Sequence, residues 1–366
     1  MVTEGVAPAQ RDWRTSVRCA PEAVGIFSRQ LALLVSSGVP LSQALDILSH
    51  QPESPNFEAV LTEIGTRLTQ GYTLSRLLSA YPRVFSRVYV AMVRVGEETG
   101  RLVASLERVS EWEERDERLR KRIRGALTYP LFVLGTAVAM TLGLFSFVLP
   151  GFVDIFHSMN IPLPWLTRLM MSLSQGCQNP GNWILGLTGV LALVLMVRQR
   201  LRNDPRMAAQ VFAACCQIPV LGPMLVASST ARFSAATATL VSAGVRLDRC
   251  LKLGALASGN PVVVIDAPLL VDTIHQGERL SEYLSAREDI YPATLSYYVA
   301  VGEESSSLPQ MLFRAASFFD EELNYRIEAL SAALEPVLLA VVATIIGLVL
   351  LSVFLPLYGF LDKLGG

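Results

Sequence analysis

Apolar side chains recur three or four positions apart over residues 21–95, and no segment alternates as a half-buried strand would. The pattern predicts five short helices, the first opening at Pro21, where a proline costs little. The residues that break the helical pattern are Gly38, Pro52, Gly71 and Pro82. Thr73 is placed to cap the fourth helix, and the fifth is expected from about residue 84 to residue 95. We therefore predict a soluble helical bundle whose apolar stripes face one another.

A longer, densely charged helix is predicted from about Leu102. Acidic side chains precede basic ones by four positions in the pairs Glu111–Arg115, Glu114–Arg118 and Glu117–Lys121. Each such pair adds a few tenths of a kcal/mol to an exposed helix. The simpler interpretation is a solvated stem, and the alternative is a face that binds a partner.

Three apolar runs without charge follow, over residues 131–149, 183–197 and 337–355. At 1.5 Å per residue the first reaches roughly 28 Å, about the thickness of the hydrocarbon core of a bilayer. We predict three transmembrane helices, the third lying with the C-terminus in 337–361. Basic residues precede the first run and follow the second, so the N-terminus is predicted in the cytoplasm and the C-terminus outside it.

The pattern of residues 27–150 returns later in the chain at a constant offset of 206 positions. Matching words include Phe27-Ser28 with Phe233-Ser234, Gly38-Val39 with Gly244-Val245, Gln70-Gly71 with Gln276-Gly277, and Leu149-Pro150 with Leu355-Pro356. A constant shift across a whole segment indicates an internal duplication. Residues 261–268 fit the repeat least and are compatible with a strand or a helix.

The duplication and the apolar runs together predict the order of the domains. The expected segments are a flexible tail over 1–20, a first cytoplasmic helical domain with its charged stem over 21–125, a transmembrane helix over 131–149, an external connection over 150–182, a second transmembrane helix over 183–197, a cytoplasmic connector over 198–232, a second cytoplasmic helical domain over 233–334, and the third transmembrane helix with the C-terminus over 337–361.

Composition supports a protein that lies partly in water and partly in lipid. Hydrophobic residues make up 51% of the chain and charged residues 17%. A net charge of −1 argues against a direct nucleic-acid binder, which would carry a basic face. The five cysteines are scattered, as expected of small apolar residues in a reducing compartment rather than of a disulfide framework. The polar first 18 residues show no signal-peptide core, so we expect the first domain to stay in the cytoplasm.

The sequence carries little that could run a reaction. It has no phosphate-binding glycine loop with lysine, no nucleophile elbow, and three histidines without the context of a metal or catalytic site. We therefore predict no catalytic residue, cofactor or metal. The apolar runs also lack the internal charges that a proton relay or ion transporter needs, so a small membrane transporter or channel component is kept only as the alternative function.

Two acidic turns are the candidate contact sites. They lie at equivalent places in the two repeats and contain Gly96, Glu97, Glu98 and Gly100 in the first and Gly302, Glu303 and Glu304 in the second. One interpretation is an anion favoured at the start of the next helix. The alternatives are an acidic contact for a cytoplasmic partner, or a weak divalent-cation site.

Proline stands where each stem approaches its apolar run. Pro130 and Pro336 lack an amide hydrogen, so each is predicted to kink its helix. Glu335 precedes the second of them. An acid near lipid is expensive unless it is paired, so it could also pair with another subunit.

Specific sequence words accompany this pattern. They are Phe27-Ser28-Arg29-Gln30-Leu31, Ser37-Gly38-Val39-Pro40-Leu41, Val95-Gly96-Glu97-Glu98-Thr99-Gly100, Tyr129-Pro130, Ile218-Pro219-Val220-Leu221-Gly222, Val301-Gly302-Glu303-Glu304 and Glu335-Pro336. In this order, and twice around the apolar runs, they closely resemble the inner-membrane platform proteins of type IV pili and type II secretion systems, the PilC/GspF family. The resemblance covers about residues 22–360.

The resemblance implies an all-α, non-enzymatic scaffold with two cytoplasmic helical-bundle domains and three membrane helices in the bacterial inner membrane. Its implied partners are a hexameric cytoplasmic assembly ATPase, pilin or pseudopilin subunits, other inner-membrane assembly proteins and membrane lipid. A small homo-oligomer, from dimer to tetramer, is also implied. The chain departs from the family at Ser306, where the family's turn usually has glycine, so the second turn is expected to be looser or differently shaped. We also expect the short N-terminal extension to carry none of the extra N-terminal segment that is frequent in the family.

Overall fold

In a computed structural model, the described residues are 13–50, 55–143, 204–219 and 221–364, with a few positions between 144 and 203. Within these ranges the chain is helical and contains no strand, which confirms the all-α class. The predicted external connection over 150–182, most of the second apolar run and residues 144–149 fall largely outside the described residues.

The first repeat forms the predicted series of helices. They are α1 (Pro21–Ser36), α2 (Leu41–Ser49), α3 (Pro55–Thr69), α4 (Leu74–Ser79), α5 (Arg87–Glu98) and the long α6 (Leu102–Gly143). Gly38 and Gly71 follow helix ends with φ of 87° and 89°, a conformation that glycine adopts at no steric cost. The fifth helix differs from its expected span of 84–95, because it begins three residues later and runs past Gly96 to Glu98.

The second repeat reproduces the first almost residue for residue. After α7 (Pro205–Cys216) come α8 (Leu221–Ser242), α9 (Leu247–Ser258), α10 (Pro261–His275), α11 (Leu280–Ala286), α12 (Ala293–Glu304) and α13 (Leu308–Leu364). The bounds of α3 and α10, and of α5 and α12, coincide at the offset of 206, which confirms the duplication. Residues 261–268, compatible with a strand or a helix in the sequence, lie inside α10. Helix α8 begins at Leu221, inside the expected connector.

The chain divides into two compact units, Met1–Arg122 with Ala208–Arg326 and Ile123–Met207 with Ile327–Gly366, so the short helices of both repeats lie in the first unit. The core of the first repeat continues into the second, because Ala236, Leu240, Val245 and Cys250 belong to the same apolar cluster as the buried side chains of α1–α6. Helix α5 packs against α8 and α9 of the second repeat. The two predicted helical domains therefore share a core.

The end of the predicted flexible tail is part of this unit. Val17 is buried, the ring of Trp13 lies edge-on to Tyr81 with centroids 6.0 Å apart, and Arg14 forms an ion pair with Glu63. The expectation of a loose tail was therefore wrong for residues 13–20. These apolar and charged partners lie far along the chain and leave no periodic pattern in so short a segment.

One helix in the described part of the chain, α13, is long and apolar enough to cross a membrane, with a window of mean hydropathy 2.2. Helix α6 ends in a shorter apolar segment, Leu131–Gly143. Both helices run without interruption from the charged stem of their repeat into the apolar segment.

Candidate functional site: the acidic turns and the stems

The carboxylate of Glu97 caps a helix that precedes it in the chain. The amide of Leu74 donates to Glu97 Oε1 at 2.5 Å, and the amide of Ser75 donates to Oε2 at 3.2 Å. These are the first two amides of α4, which have no partner within the helix. Thr73 occupies the N-cap position with an extended backbone, but its side chain makes no capping hydrogen bond. Glu97 supplies the acceptors in its place.

The second repeat contains the same arrangement. Glu303 accepts hydrogen bonds from the amides of Leu280 at 2.8 Å and Ser281 at 3.2 Å, at the start of α11, and also from the Ser281 hydroxyl. The sequence interpretation placed each anion at the start of the following helix. The structure places Glu97 and Glu303 at the start of the preceding short helix, where negative charge is equally favoured.

The second acid of each turn is different. Glu98 and Glu304 end α5 and α12 and are exposed. Among the described residues, no group of three or more His, Cys, Asp or Glu side chains is arranged to hold a metal ion. Each turn thus presents one carboxylate bound to backbone and one open to solvent.

Gly96 and Gly302 lie inside α5 and α12 rather than at a turn. A Cβ added to Gly96 would lie 2.6 Å from Ser105 Cβ, and one added to Gly302 would lie 2.9 Å from the backbone of Leu308. Atoms this close would force the two helices of each turn apart. The glycines therefore allow the stem to pack against the helix before it.

The turn itself is made at Gly100, with φ of 69°, and at the equivalent Ser306, with φ of 51°. The second turn was expected to be looser or differently shaped, and the structure shows that its serine keeps the left-handed conformation of the glycine in the first turn. A non-glycine residue there costs roughly 1 kcal/mol.

The stem of the first repeat contacts the second repeat. Two of the predicted pairs form, with Glu117–Lys121 at 2.6 Å and Glu114–Arg118 at 3.5 Å. Arg115 does not pair with Glu111 as predicted; it binds Asp320 on α13 at 2.7 Å. Glu111, four residues away on the same helix, is thus replaced as the partner of Arg115 by Asp320, which packing brings closer. The stem is therefore not simply solvated.

Glu113, on the same stem, is largely withdrawn from water. Burial raises the pKa of its carboxyl to about 8, and the nearby Asp116 carboxylate raises it further. The equivalent position in the second repeat is the buried Phe319. The first stem thus carries an acid where the second carries an aromatic ring.

The prolines of the stems lie within continuous helices, Pro130 in α6 and Pro336 in α13. The kinks remain a prediction. The side chain of Glu335 falls outside the described part, so its pairing also remains a prediction.

Sequence analysis missed a buried acid in the second repeat. Asp266 accepts hydrogen bonds from the hydroxyls of Tyr283 and Tyr291, each at 2.9 Å, and forms an ion pair with Arg287 at 2.9 Å. Burial and the bond to Asp266 raise the pKa of Tyr283 to about 12. The first repeat has Val60 at this position. Comparing the repeats position by position would have revealed the acid, but not its partners.

Comparison with known proteins agrees with the duplicated fold. The family described as type II secretion system (T2SS), protein F, matches residues 27–150 and 233–356. The type IV pilus assembly protein PilC of Thermus thermophilus is 33% identical over 93% of this chain and 83% of its own length. The type II secretion system protein F of Xanthomonas campestris is 32% identical over 93% of this chain and 83% of its own length. The chain therefore belongs to the type II secretion system protein F family.

Proposed function

We propose that the chain is an inner-membrane platform protein of a type IV pilus or type II secretion machinery, and that it is a scaffold rather than an enzyme. It would couple a cytoplasmic assembly ATPase to the insertion of pilin or pseudopilin subunits into a filament. Family membership and relatives named for both systems support this role.

The observation that carries the proposal is the continuity of the stems. Helix α13 has 57 residues, from Leu308 to Leu364. Along the chain it runs from the charged stem of the second repeat into the apolar run of residues 337–355. A helix of this kind transmits a tilt or rotation along its axis. Arg115 and Asp320 join the two stems, so a push on either repeat would move both.

The membrane arrangement is part of the proposal. We place three spans at residues 131–149, 183–197 and 337–355, with the N-terminus in the cytoplasm and the C-terminus outside. A reporter that is active only outside the cytoplasm, fused after Lys363, is expected to be active. A stable but inactive fusion would contradict this topology.

The partners follow from the role. The exposed acids Glu98 and Glu304 are the positions proposed to contact a cytoplasmic partner such as the ATPase, and self-association into a dimer to tetramer is proposed as well. The remaining proposed partners are other inner-membrane assembly proteins and membrane lipid.

The role is tested by deleting the gene and measuring surface filaments, protein secretion and DNA uptake. Loss of one of these, with pilin-like subunits retained in the inner membrane and the ATPase still produced, is the expected result and identifies the system. Normal filaments, secretion and uptake in a strain without a second copy would refute the proposal.

The coupling is tested by charge exchange in the complemented strain. Arg115→Asp and Asp320→Arg are each expected to reduce assembly, and the double exchange to restore it. Arg118→Asp is the matched control, because Arg118 lies on the same stem and its partner is local. Equal losses in the double exchange and the single variants would show that the link between the stems does not matter.

A further inference from the structure

The second repeat carries four neighbouring aromatic side chains on α12 and α13, of which Tyr297, Phe318 and Tyr325 are exposed and Tyr298 is half-buried; we call these four the aromatic face. Tyr297 is 68% exposed and Tyr325 70% exposed. Three of the rings are neighbours, with centroids 6.2 Å apart for Tyr297 and Tyr298 and 6.3 Å apart for Tyr298 and Phe318, and Tyr325 follows Phe318 about two helical turns later on α13. Contiguous exposed apolar surface of this kind marks an interaction site.

The same positions in the first repeat are covered. Ala91 and Met92 correspond to the two tyrosines of α12, and Leu119 corresponds to Tyr325. They are 8%, 0% and 6% exposed. They lie on α5 and α6, and α5 packs against α8 and α9 of the second repeat. The fold therefore covers this surface in the first repeat, by the contact between the repeats, and leaves the equivalent surface of the second repeat open.

Helices α8 and α9, which cover this surface of the first repeat, also have equivalents that nothing in the described part of the chain covers. Helices α8 and α9 correspond to α1 and α2, where Ile26, Leu33 and Ile47 are exposed; we call these three the aliphatic face. Their equivalents include Thr239, which lines the cavity beside the first stem, and Leu253, which packs on the shared core. The contact inside the chain is thus one-sided. Every chain therefore has one unused aromatic face and one unused aliphatic face. Two different complementary faces on each chain are the condition for head-to-tail association.

Charge complementarity agrees with the pairing. A cavity of about 480 Å³ between the repeats is lined by Arg115 of α6 and Ala235 of α8, among others. The residues equivalent to this pair are Glu321 and Arg29, which carry opposite charges. Glu321 is exposed, and the Arg29 side chain is 62% exposed although it contacts Glu114. If two chains met as the two repeats do, Glu321 of one would face Arg29 of the other.

We infer that the aromatic face of one copy of this chain binds the aliphatic face of a second copy, in the manner in which the first repeat binds the second. The occupant is a second copy because the fold already forms this contact between two versions of the same domain. The inference deepens the proposed function, on which it rests for the expectation of an oligomer, by naming the surface that builds it.

The test uses the full-length protein in its native membrane. A photo-crosslinking amino acid at Tyr325 is expected to give a dimer of this chain. The same group at Tyr72, which is exposed on the first repeat, is the matched control and is expected to give none. An adduct at residue 325 that joins only another protein, or only lipid and so stays at the monomer mass, would overturn the inference.

Charge exchange then separates head-to-tail contact from a face that binds itself. Glu321→Arg and Arg29→Glu are each expected to lower the crosslinked dimer roughly tenfold, the effect of about 1.4 kcal/mol. Co-expression of the two variants is expected to restore it, because each contact then joins opposite charges. No effect of Arg29→Glu, or no recovery on co-expression, would refute the pairing.

This outcome is separable from the proposed function. Unchanged melting temperatures of the purified variants in detergent show that the fold is intact. A restored dimer in a strain whose filaments, secretion and uptake never depended on the gene would leave the interface standing and remove the platform role. A strain that needs the gene but shows no dimer would do the reverse.

Discussion

Replacing Glu97 with alanine removes both acceptors at the start of α4. The amides of Leu74 and Ser75 would lose partners at 2.5 and 3.2 Å, and both residues are buried, so water does not replace the carboxylate freely. Loss of a helix cap costs roughly 1 kcal/mol, and loss of a charged acceptor from buried donors costs more. We expect a destabilisation of about 2 kcal/mol.

The measurement is thermal unfolding of the full-length protein in detergent. For a unit of this size, 1 kcal/mol corresponds to about 2–4 °C, so Glu97→Ala is expected to lower Tm by about 4–8 °C. Glu303→Ala is expected to have a similar effect through Leu280 and Ser281. Glu98→Ala is the matched control: its side chain is exposed, and its effect is expected to stay within about 0.5 kcal/mol.

The variants of the two acids in one turn are therefore expected to differ in which measurement they affect. Glu97→Ala lowers stability, whereas Glu98→Ala retains stability and, if Glu98 contacts a partner, reduces filament assembly or secretion. Equal melting temperatures for the two variants would refute the capping role derived from the structure.

Three further predictions concern single side chains. Gly96→Ala is expected to destabilise by about 1–3 kcal/mol because its Cβ would overlap Ser105, whereas Gly65→Ala in α3, whose Cβ would make only an ordinary contact with Leu45 at 4.0 Å, is expected to be neutral or to stabilise by up to about 1 kcal/mol; thermal melts distinguish them. Ser306→Gly is expected to stabilise, and the reciprocal Gly100→Ser to destabilise, by roughly 1 kcal/mol each, and opposite shifts in Tm check this. The carboxyl pKa of Glu113 is raised to about 8 in the folded chain, so its ionisation costs stability increasingly as pH rises from about 4.5 to 8. In thermal melts across this range, Glu113→Gln is expected to become more stable relative to the wild type as pH rises. Melting temperatures that stay a constant distance apart would contradict the burial of this acid.

The features that the sequence predicts well are local. Gly38 and Gly71 were predicted to end helices, and both adopt positive φ there. The duplication was visible because the same local signals recur at a fixed offset, so the second repeat could be placed from the first. Helical class and element order follow from periodicity alone.

The features that it misses depend on partners distant in the chain. The Glu97 carboxylate binds amides 22 and 23 positions earlier, so the acid looked free to serve the next helix. Arg115 had a suitable partner four residues away and bound Asp320 instead. Gly96 was interpreted as a turn because only the approach of Ser105 shows why a side chain is excluded.

On α8 the contact between the two repeats uses small side chains, and Ala235, Ala236 and Thr239 are all buried. Because both repeats belong to one polypeptide, their effective concentration is set by the tether, and a modest interface is enough to hold them together. A contact between separate chains has no such help and must overcome the lost translational freedom itself. The surface that faces α8 differs accordingly between the repeats. It carries Ala91 in the first repeat, where the contact is tethered, and its equivalent Tyr297 in the second repeat, where we propose a contact between separate chains.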